Sequence, residues 1–212
     1  MELDISITYT FSSNITDPDY SDENSFTKDI FFNIFSNDEL FENSLKIGSG
    51  HLQLIDLERH NELYMCEETP VDFWEIADSS HEFLELFEAL FLENCVGSGS
   101  CVDFSDFTKS VSRILKRGYF KSSFINLSRL EINEDYQNKK IGSLVVNHIK
   151  KEFSYFGDFI STKPYPLKFE AKFGKEDFSE KEYNLNQKKV NSFYTKNGFK
   201  RVDKSRIFIC PI

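Results

Sequence analysis

A polar turn between a predicted strand and a predicted helix carries the residues best suited to hold an anion. It runs from Asn133 to Gly142 and includes two adjacent lysines, Lys139 and Lys140. A helix that begins here leaves backbone N–H groups unpaired and carries about half a unit of positive charge at its N-terminus. Gly142 lacks a side chain, so a ligand can approach the backbone closely. The pattern predicts a phosphate or pyrophosphate site, and a solvated turn without a ligand is the alternative.

The strands around this turn are predicted from alternating apolar residues and from composition. They span Glu2–Thr10, Leu45–Leu57, Phe124–Ile132, Asp158–Thr162, Phe199–Val202 and Arg206–Ile209, with Tyr165–Ala171 also extended. Gly48 and Gly50 mark a bend or bulge in the second of these strands.

Helices are predicted where apolar residues recur at intervals of three and four. They span Ser25–Phe35, Asp72–Asn94, Phe107–Lys116, Ser143–Phe153 and Gln187–Asn197. Gly198 supplies the stop signal of the last helix. Residues 13–24 are predicted to form a loop. The mixture of strands and helices predicts an α/β chain.

Composition excludes several classes of protein. The 212 residues are 40% hydrophobic and 28% charged, which excludes a wholly disordered or collagen-like chain. No apolar run approaches the roughly 20 residues that span a bilayer, and the first residues do not resemble a secretory signal. The four cysteines form no Cys-x-x-Cys pair, and no cluster has metal-ligand spacing. We therefore expect a cytoplasmic protein without a bound metal or a membrane span.

Charge is distributed unevenly along the chain. Residues 1–108 carry 3 Lys and Arg against 24 Asp and Glu, a net charge of −21, and residues 109–212 carry 22 against 11, a net charge of +11. The basic half could hold an anionic ligand, and the acidic half could attract a cationic one. The alternative is that the two halves only neutralise each other. Nucleic-acid binding is not expected, because the basic residues are scattered without an aromatic–basic motif.

Two segments resemble the signatures of one enzyme family. The run from Glu134 to Ser143 resembles the acetyl-CoA pyrophosphate loop of the GNAT superfamily of N-acetyltransferases, Gln/Arg-x-x-Gly-x-Gly/Ala. The run from Val190 to Phe199 resembles its second signature, a helix that ends in Phe-Tyr-x-x-x-Gly-Phe. Both occur in the order that the family shows, and the likeness covers about residues 123–210.

A poorly characterised bacterial branch of these enzymes is similar over further segments. These segments are Asp78–Phe91, Arg129–Ile132 and Lys163–Glu170. In that branch an acidic helical segment precedes the fourth strand, which corresponds here to about residues 72–117. The resemblance to this branch implies the co-substrate and leaves the acceptor open.

The resemblance implies that the turn binds the pyrophosphate of acetyl-CoA. Gln137 and Gly142 match the loop directly. The other residues of the turn follow by position: Asn138, Lys139, Lys140, Ile141 and Ser143. Leu130 and Ile132 are expected to offer main-chain groups to the pantetheine arm, as an added strand would.

The resemblance assigns the chemistry to Tyr194, the tyrosine of the second signature. When an amine attacks a thioester, the leaving thiolate must be protonated or stabilised, and a phenol hydroxyl can do both. The alternative is a tyrosine packed at a helix end with its hydroxyl in water. Glu131 and Glu170 are the candidates for the base that deprotonates the amine, and structural or solvent-facing carboxylates are the alternative for each.

The implied fold is a single α/β (α+β) domain over residues 1–212, with an acidic helical elaboration at about residues 72–117. Its mixed, mostly antiparallel sheet is flanked by helices and splays between the fourth and fifth strands, with acetyl-CoA in the gap. The implied reaction is direct acetyl transfer to an amine in a ternary complex. A cationic small molecule or basic peptide suits the acidic half, and a homodimer is possible. The alternative is a degenerate member that binds a CoA ester or a protein partner without turnover, which Lys140 at a glycine position of the loop favours.

Overall fold

Seven strands of the described residues form one sheet. The structure is a computed structural model that describes residues 4–11, 27–37, 44–58, 81–91, 107–116, 123–172 and 179–212. The strands are β1 (Asp4–Phe11), β2 (Thr27–Asn37), β3 (Ser44–Asp56), β4 (Ser123–Ile132), β5 (Phe159–Thr162), β6 (Lys200–Arg201) and β7 (Phe208–Pro211). Their order is β1-β2-β3-β4-β5-β7-β6. Only β4 and β5 pair in parallel among them. The predicted mixed, mostly antiparallel sheet is therefore confirmed.

Four α-helices accompany the sheet in the described ranges. They are α1 (His81–Leu90), α2 (Lys109–Leu115), α3 (Ile141–Glu152) and α4 (Glu180–Lys196). Helix α4 begins earlier than predicted, because Ser179 caps it by accepting a hydrogen bond from the N–H of Glu182. None of these helices is long and apolar enough to cross a membrane. The predicted loop at 13–24 and the ends of the predicted helix Asp72–Asn94 lie outside the described residues.

The predicted helix at Ser25–Phe35 is wrong, because residues 27–37 form strand β2. This strand pairs along its length with both β1 and β3. Ile30, Phe32 and Ile34 face the core, whereas Phe31 is 48% exposed. Phenylalanine on the outer face hides the polar alternation that normally marks a strand, so the segment fits helical spacing as well.

The predicted extended segment at Tyr165–Ala171 is also wrong in its second half. Leu167–Lys172 forms a 3₁₀ helix, and the N–H of Phe169 donates to the carbonyl of Pro166 at 2.9 Å. Two prolines in close succession favour extended backbone before and at each ring, but they do not prevent the chain from turning after the second.

β4 and β5 separate after a short parallel contact. They pair only at Ile125 with Ile160 and at Asn126 with Ser161. The Thr162 hydroxyl then donates to the Leu127 carbonyl at 2.8 Å, and β4 continues to Ile132 paired with β3 alone. We call this opening the fork. It is the predicted splay between the fourth and fifth strands.

A bulge bends β4 beside the fork. Leu52 of β3 opposes Leu127, whereas His51 opposes Arg129, so Ser128 is an extra residue on β4. An extra residue increases the local twist of a strand and re-aims the side chains next to it. The bulge therefore controls which side chains of β4 point to each side of the fork.

The two faces of the sheet are covered by different helices. On the α3 face, residues of α3 and α4 pack over Ile125, Leu127 and Ile160. On the α1 face, residues of α1 and α2 pack over Phe124 and Phe159. Those two rings stack at a centroid distance of 4.8 Å. Burial of large aromatic surface on both sides stabilises the packing of the helices on the sheet around the fork.

Candidate active site

The turn after β4 presents uncapped N–H groups at the start of α3. Asn138 and Lys140 have left-handed φ angles of 62° and 64°. Lys140 is the N-cap residue, and its side chain makes no capping hydrogen bond. The N–H of Leu144 donates to the Lys140 carbonyl at 3.1 Å. The N–H groups of residues 141–143 precede this bond and have no helical carbonyl partner, so they are available to an anion.

The side chains of the turn add positive charge beside the N-terminus of α3. The Gln137 side-chain amide donates to the Ile132 carbonyl at 2.9 Å, which ties the turn to the end of β4. The Lys139 ammonium lies 4.9 Å from the ring centroid of Tyr136, and the Lys140 side chain is exposed. Both lysines therefore add to the positive end of α3.

Lys140 holds a backbone conformation that glycine adopts more easily. A left-handed residue with a Cβ is roughly 1–2 kcal/mol less stable, and glycine loses about 0.5–1 kcal/mol through the entropy of the unfolded chain. We expect Lys140→Gly to raise the free energy of unfolding by about 1 kcal/mol. Lys139 lacks a left-handed φ, so Lys139→Gly should lower it by about 0.5–1 kcal/mol. Urea denaturation measures both, and changes of the same sign would contradict this account.

Gly142 and Phe193 bring the two signature segments into contact. A Cβ placed on Gly142 would lie 3.1 Å from Cε2 and Cζ of Phe193. The first turn of α3 therefore packs against the end of α4. This contact explains the glycine without reference to a ligand, since even one methyl group would force the phenylalanine ring to move.

Tyr194 lies at the fork on the α3 face. Its ring packs edge-on against Phe193 and Phe199, at centroid distances of 5.1 and 5.2 Å. The residue is 6% exposed. Its hydroxyl lies near that of Thr162, whose own proton goes to the Leu127 carbonyl. The phenol ring of Tyr194 is therefore packed among aromatic side chains beside the fork.

Burial also determines the protonation of Tyr194. It raises the pKa of Tyr194 to about 12, because a buried phenolate loses the stabilisation that water provides. The phenol is thus protonated at neutral pH. It can therefore donate a hydrogen bond at the fork.

Arg129 brings the two candidate bases together. Its guanidinium lies 3.0 Å from Glu170 and 3.3 Å from Glu131. Partial burial works to lower the pKa of Arg129, but the two carboxylates outweigh it and raise the pKa. Both carboxylates are exposed and accept hydrogen bonds from this cation.

The main chain of β4 offers an open edge to the fork. The N–H of Asn133 donates to the Ile47 carbonyl of β3 at 2.8 Å. Backbone groups alternate between the two sides of a strand, so those of Leu130 and Ile132 face away from β3 and toward the fork. Gln137 already occupies the Ile132 carbonyl. The side chains of Leu130 and Ile132 pack on the α3 face.

A row of polar side chains crosses the α1 face at the fork, and the sequence analysis missed it. This polar row consists of Asp29 (β2), His51 and Gln53 (β3), Asn126 and Ser128 (β4), and Ser161 (β5). The Asp29 carboxylate lies 2.7 Å from Nε2 of His51, and Nδ1 of His51 lies 2.7 Å from the Ser128 hydroxyl.

A second branch of the polar row starts from the same carboxylate. The Gln53 amide donates to Asp29 at 3.2 Å, the Asn126 amide donates to Gln53 at 3.0 Å, and Ser161 donates to Asn126 at 3.1 Å. The row joins four strands and therefore has no sequence motif. Its signal was the pair of polar residues at alternate positions in each of β3 and β4.

The described part of the acidic segment reaches the fork. Glu85 of α1 forms an ion pair of 2.6 Å with Lys163, the residue that follows β5. Helix α1 is also anchored to the sheet by Phe87, whose ring meets that of Phe124 edge-on at 6.5 Å. Helix α1 therefore borders the fork on the same face as the polar row. Among the described residues, no group of three or more His, Cys, Asp and Glu is arranged to hold a metal ion.

Comparisons with known proteins give only distant matches. No protein-family model and no curated protein matches the sequence. One match is the crystal structure of a tyrosine-to-phenylalanine mutant of KacT, whose sequence is 13% identical to this chain. The TM-score is 0.39, and the match covers 88% of this chain and 71% of that chain. A mosquito arylalkylamine N-acetyltransferase like 5b is also 13% identical, with a TM-score of 0.33 over 85% and 74% of the two chains. Neither likeness is close enough to bear on substrate or mechanism.

Proposed function

We propose that this chain is an N-acetyltransferase that moves an acetyl group from acetyl-CoA to an amine by direct attack in a ternary complex. The observation that carries the proposal is the fork. One opening in the sheet combines an uncapped helix N-terminus, an open strand edge and a buried phenol. Each of these suits a different part of acetyl-CoA. The resemblance of the turn and of the α4 segment to the GNAT signatures supports the same assignment.

The pyrophosphate would bind at the turn. Backbone N–H groups between Asn138 and Ser143 would donate to it, because the first turn of α3 leaves them unpaired. Lys139 and Lys140 would supply positive charge from the exposed side. The pantetheine arm would then lie along the fork beside Leu130 and Ile132, and pair with the open edge of β4 as an extra strand does.

Tyr194 would stabilise the sulfur as it leaves. Its pKa of about 12 lies well above the roughly 8.5 of an ordinary thiol, so complete proton transfer to the thiolate is uphill. A hydrogen bond donated to the developing charge needs no such transfer and is strong in a buried site. We therefore assign Tyr194 mainly the role of a donor to the thiolate, with protonation completed by solvent.

The acceptor side would be the α1 face. Glu131 and Glu170 stay as candidate bases, and both form ion pairs with Arg129. The acidic first half of the chain would favour a cationic amine, either a small molecule or a basic peptide. We place the enzyme in the cytoplasm as a single domain, alone or as a homodimer.

A protein that binds a CoA ester without turnover is the second candidate. The left-handed Lys140 in the turn favours it. Thiol release in a broad screen of amine acceptors with acetyl-CoA distinguishes the two. An enzyme releases free CoA with at least one amine, whereas a binding protein releases none while it still binds the ester.

Titration calorimetry with acetyl-CoA tests the shared part of both candidates. We expect saturable binding in the micromolar range, about −8 kcal/mol. Replacing both lysines of the turn, Lys139→Gln with Lys140→Gln, should weaken binding. Lys151→Gln, at the exposed far end of the same helix, should not. No heat at millimolar acetyl-CoA would exclude both candidates.

A further inference from the structure

We propose that Ser128, His51 and Asp29 form a proton relay that deprotonates the amine acceptor on the α1 face of the fork. This inference rests on the proposed acetyl transfer and adds the group that makes the amine a nucleophile. A primary amine is protonated at neutral pH, because an alkylammonium ion has a pKa of about 10. It must lose that proton before it can attack a thioester.

Ser128 stands opposite the thiolate donor across one strand. It follows Leu127, whose carbonyl accepts from Thr162, and the hydroxyl of Thr162 lies near that of Tyr194. The bulge makes Ser128 the extra residue of β4. The Ser128 hydroxyl points to the α1 face, where it contacts the ring of His51. The site thus has a donor for the sulfur on one face and a hydroxyl for the amine on the other.

The hydrogen bonds fix how His51 can take a proton. Asp29 can only accept, so the neutral imidazole places its N–H on Nε2, which lies 2.7 Å from that carboxylate. Nδ1 then has a free lone pair 2.7 Å from the Ser128 hydroxyl. The same hydroxyl lies 3.2 Å from the carbonyl of His51, and the shorter contact favours the ring nitrogen. Phe31 stacks on the ring at 4.5 Å with a tilt of 9° and holds its orientation.

The charges around His51 allow an imidazolium to form. Asp29 of β2 faces Nε2 directly. Arg129 of β4 opposes His51 in the strand register, but its charge is matched by Glu131 and Glu170. The positive charge of a protonated His51 therefore meets a carboxylate on one side and an already neutralised guanidinium on the other. This is the environment that a histidine base needs.

The acceptor loses a proton before its nitrogen forms the new bond. The ammonium form of the acceptor gives one proton to the Ser128 oxygen while the Ser128 proton passes to Nδ1 of His51. The freed amine nitrogen attacks the thioester carbonyl carbon, so a C–N bond forms and the C–S bond breaks. The thiolate leaves with the electron pair and is stabilised by Tyr194. The amide nitrogen loses its surplus proton to solvent. Ser128 touches the acceptor, and His51 and Asp29 act behind it.

Two acceptors that differ in protonation test the relay. 1,4-Diaminobutane is protonated at pH 7 and needs the relay, whereas hydroxylamine is largely unprotonated and does not. We expect Ser128→Ala and His51→Gln to lower kcat/KM for diaminobutane about 100-fold, and to change that for hydroxylamine much less. Acetyl-CoA affinity by calorimetry should stay within about twofold. Imidazole added to His51→Ala should restore part of the diaminobutane rate, which a purely structural role would not allow.

Gln53→Ala is the matched control, because Gln53 bonds the same Asp29 carboxylate but lies outside the relay. It should leave the diaminobutane rate within about threefold of the wild type. An equal loss of the diaminobutane rate in Gln53→Ala and His51→Gln would overturn the relay, and the polar row would then have only a structural role. So would a wild-type rate in His51→Gln, or no thiol release by the wild type with either acceptor while acetyl-CoA still binds. If the wild type does not bind acetyl-CoA at all, the proposed function fails as well. If His51→Gln does not fold, the rates of Ser128→Ala with the two acceptors are compared with those of Gln53→Ala instead.

Discussion

Tyr194→Phe is expected to lower kcat about 100-fold while the affinity for acetyl-CoA changes little. Loss of one donor to a developing negative charge typically costs 10²–10³-fold, and a thiolate is a good leaving group, so the low end applies. The ring contacts with Phe193 and Phe199 do not involve the hydroxyl, and the turn that would bind the pyrophosphate is untouched. Stopped-flow or steady-state thiol release gives kcat, and calorimetry gives the affinity.

The matched control for this variant is Tyr183→Phe, near the other end of the same helix. It also removes one hydroxyl, and its kcat should stay within about twofold of the wild type. A wild-type kcat in Tyr194→Phe would show that water alone stabilises the thiolate. A joint loss of kcat, acetyl-CoA binding and melting temperature would instead mark Tyr194 as a packing residue.

The raised pKa of Tyr194 determines the pH range in which its ionisation should affect kcat and stability. Because the pKa is about 12 in the folded protein and about 10 in an unfolded chain, the phenol stays protonated throughout the range in which the enzyme would be assayed. Tyr194 should therefore produce no limb in the kcat profile below about pH 10. The neutral form is favoured by folding, so its contribution to stability is complete below pH 10 and is lost as the pH rises from about 10 to 12.

Gly142→Val is expected to reduce acetyl-CoA binding by 100-fold or more. The added Cβ would lie 3.1 Å from the Phe193 ring, and two further methyl groups must fit into the same contact. Overpacking of this kind commonly costs about 1–3 kcal/mol of folding free energy. The Phe193 ring that it displaces lies next to Tyr194. Calorimetry with acetyl-CoA measures the loss. Leu144→Val, at a position that is 54% exposed on the same helix, should bind like the wild type.

A second substitution separates the two reasons for a glycine at this position. Phe193→Leu makes room on the α4 side of Gly142 and changes nothing on the side of the turn. The double variant Gly142→Val with Phe193→Leu should recover at least about tenfold of the lost affinity if helix packing is the cause. No recovery would mean that the valine obstructs the ligand itself, which is the reason that the sequence alone suggested.

The strand–turn–helix unit around residues 123–153 could be predicted because its signals are local. Alternating apolar residues, a polar turn and helical spacing follow one another without long-range information. The same is true of the C-terminal end of α4, which comes just before Gly198 with its left-handed φ of 89°. The fork itself came from the family resemblance, since no local pattern tells where two strands part.

The errors occurred where local signals were ambiguous or absent. β2 could not be told from a helix, because Phe31 and Phe35 lie where an outer strand face normally carries polar residues. Its identity is decided by pairing with β1 and β3. The polar row depends on register across four strands and on a one-residue bulge, and the polar residues at alternate positions of β3 and β4 reveal neither of them. Phe193 at Gly142 is likewise a contact between two distant helices.

The pairing of β3 with β4 has a consequence for how this architecture can vary. The 66 residues between Asp56 and Ser123 join the two strands that carry His51 and Ser128. The entropic cost of closing such a connection grows only with the logarithm of its length, by about 0.6 kcal/mol for each doubling. By this relation, changes in the length of the connection away from α1 and α2 should cost little free energy. If the proposed function holds, the connection could therefore vary to suit different acceptors while β3 and β4 keep the geometry of the fork.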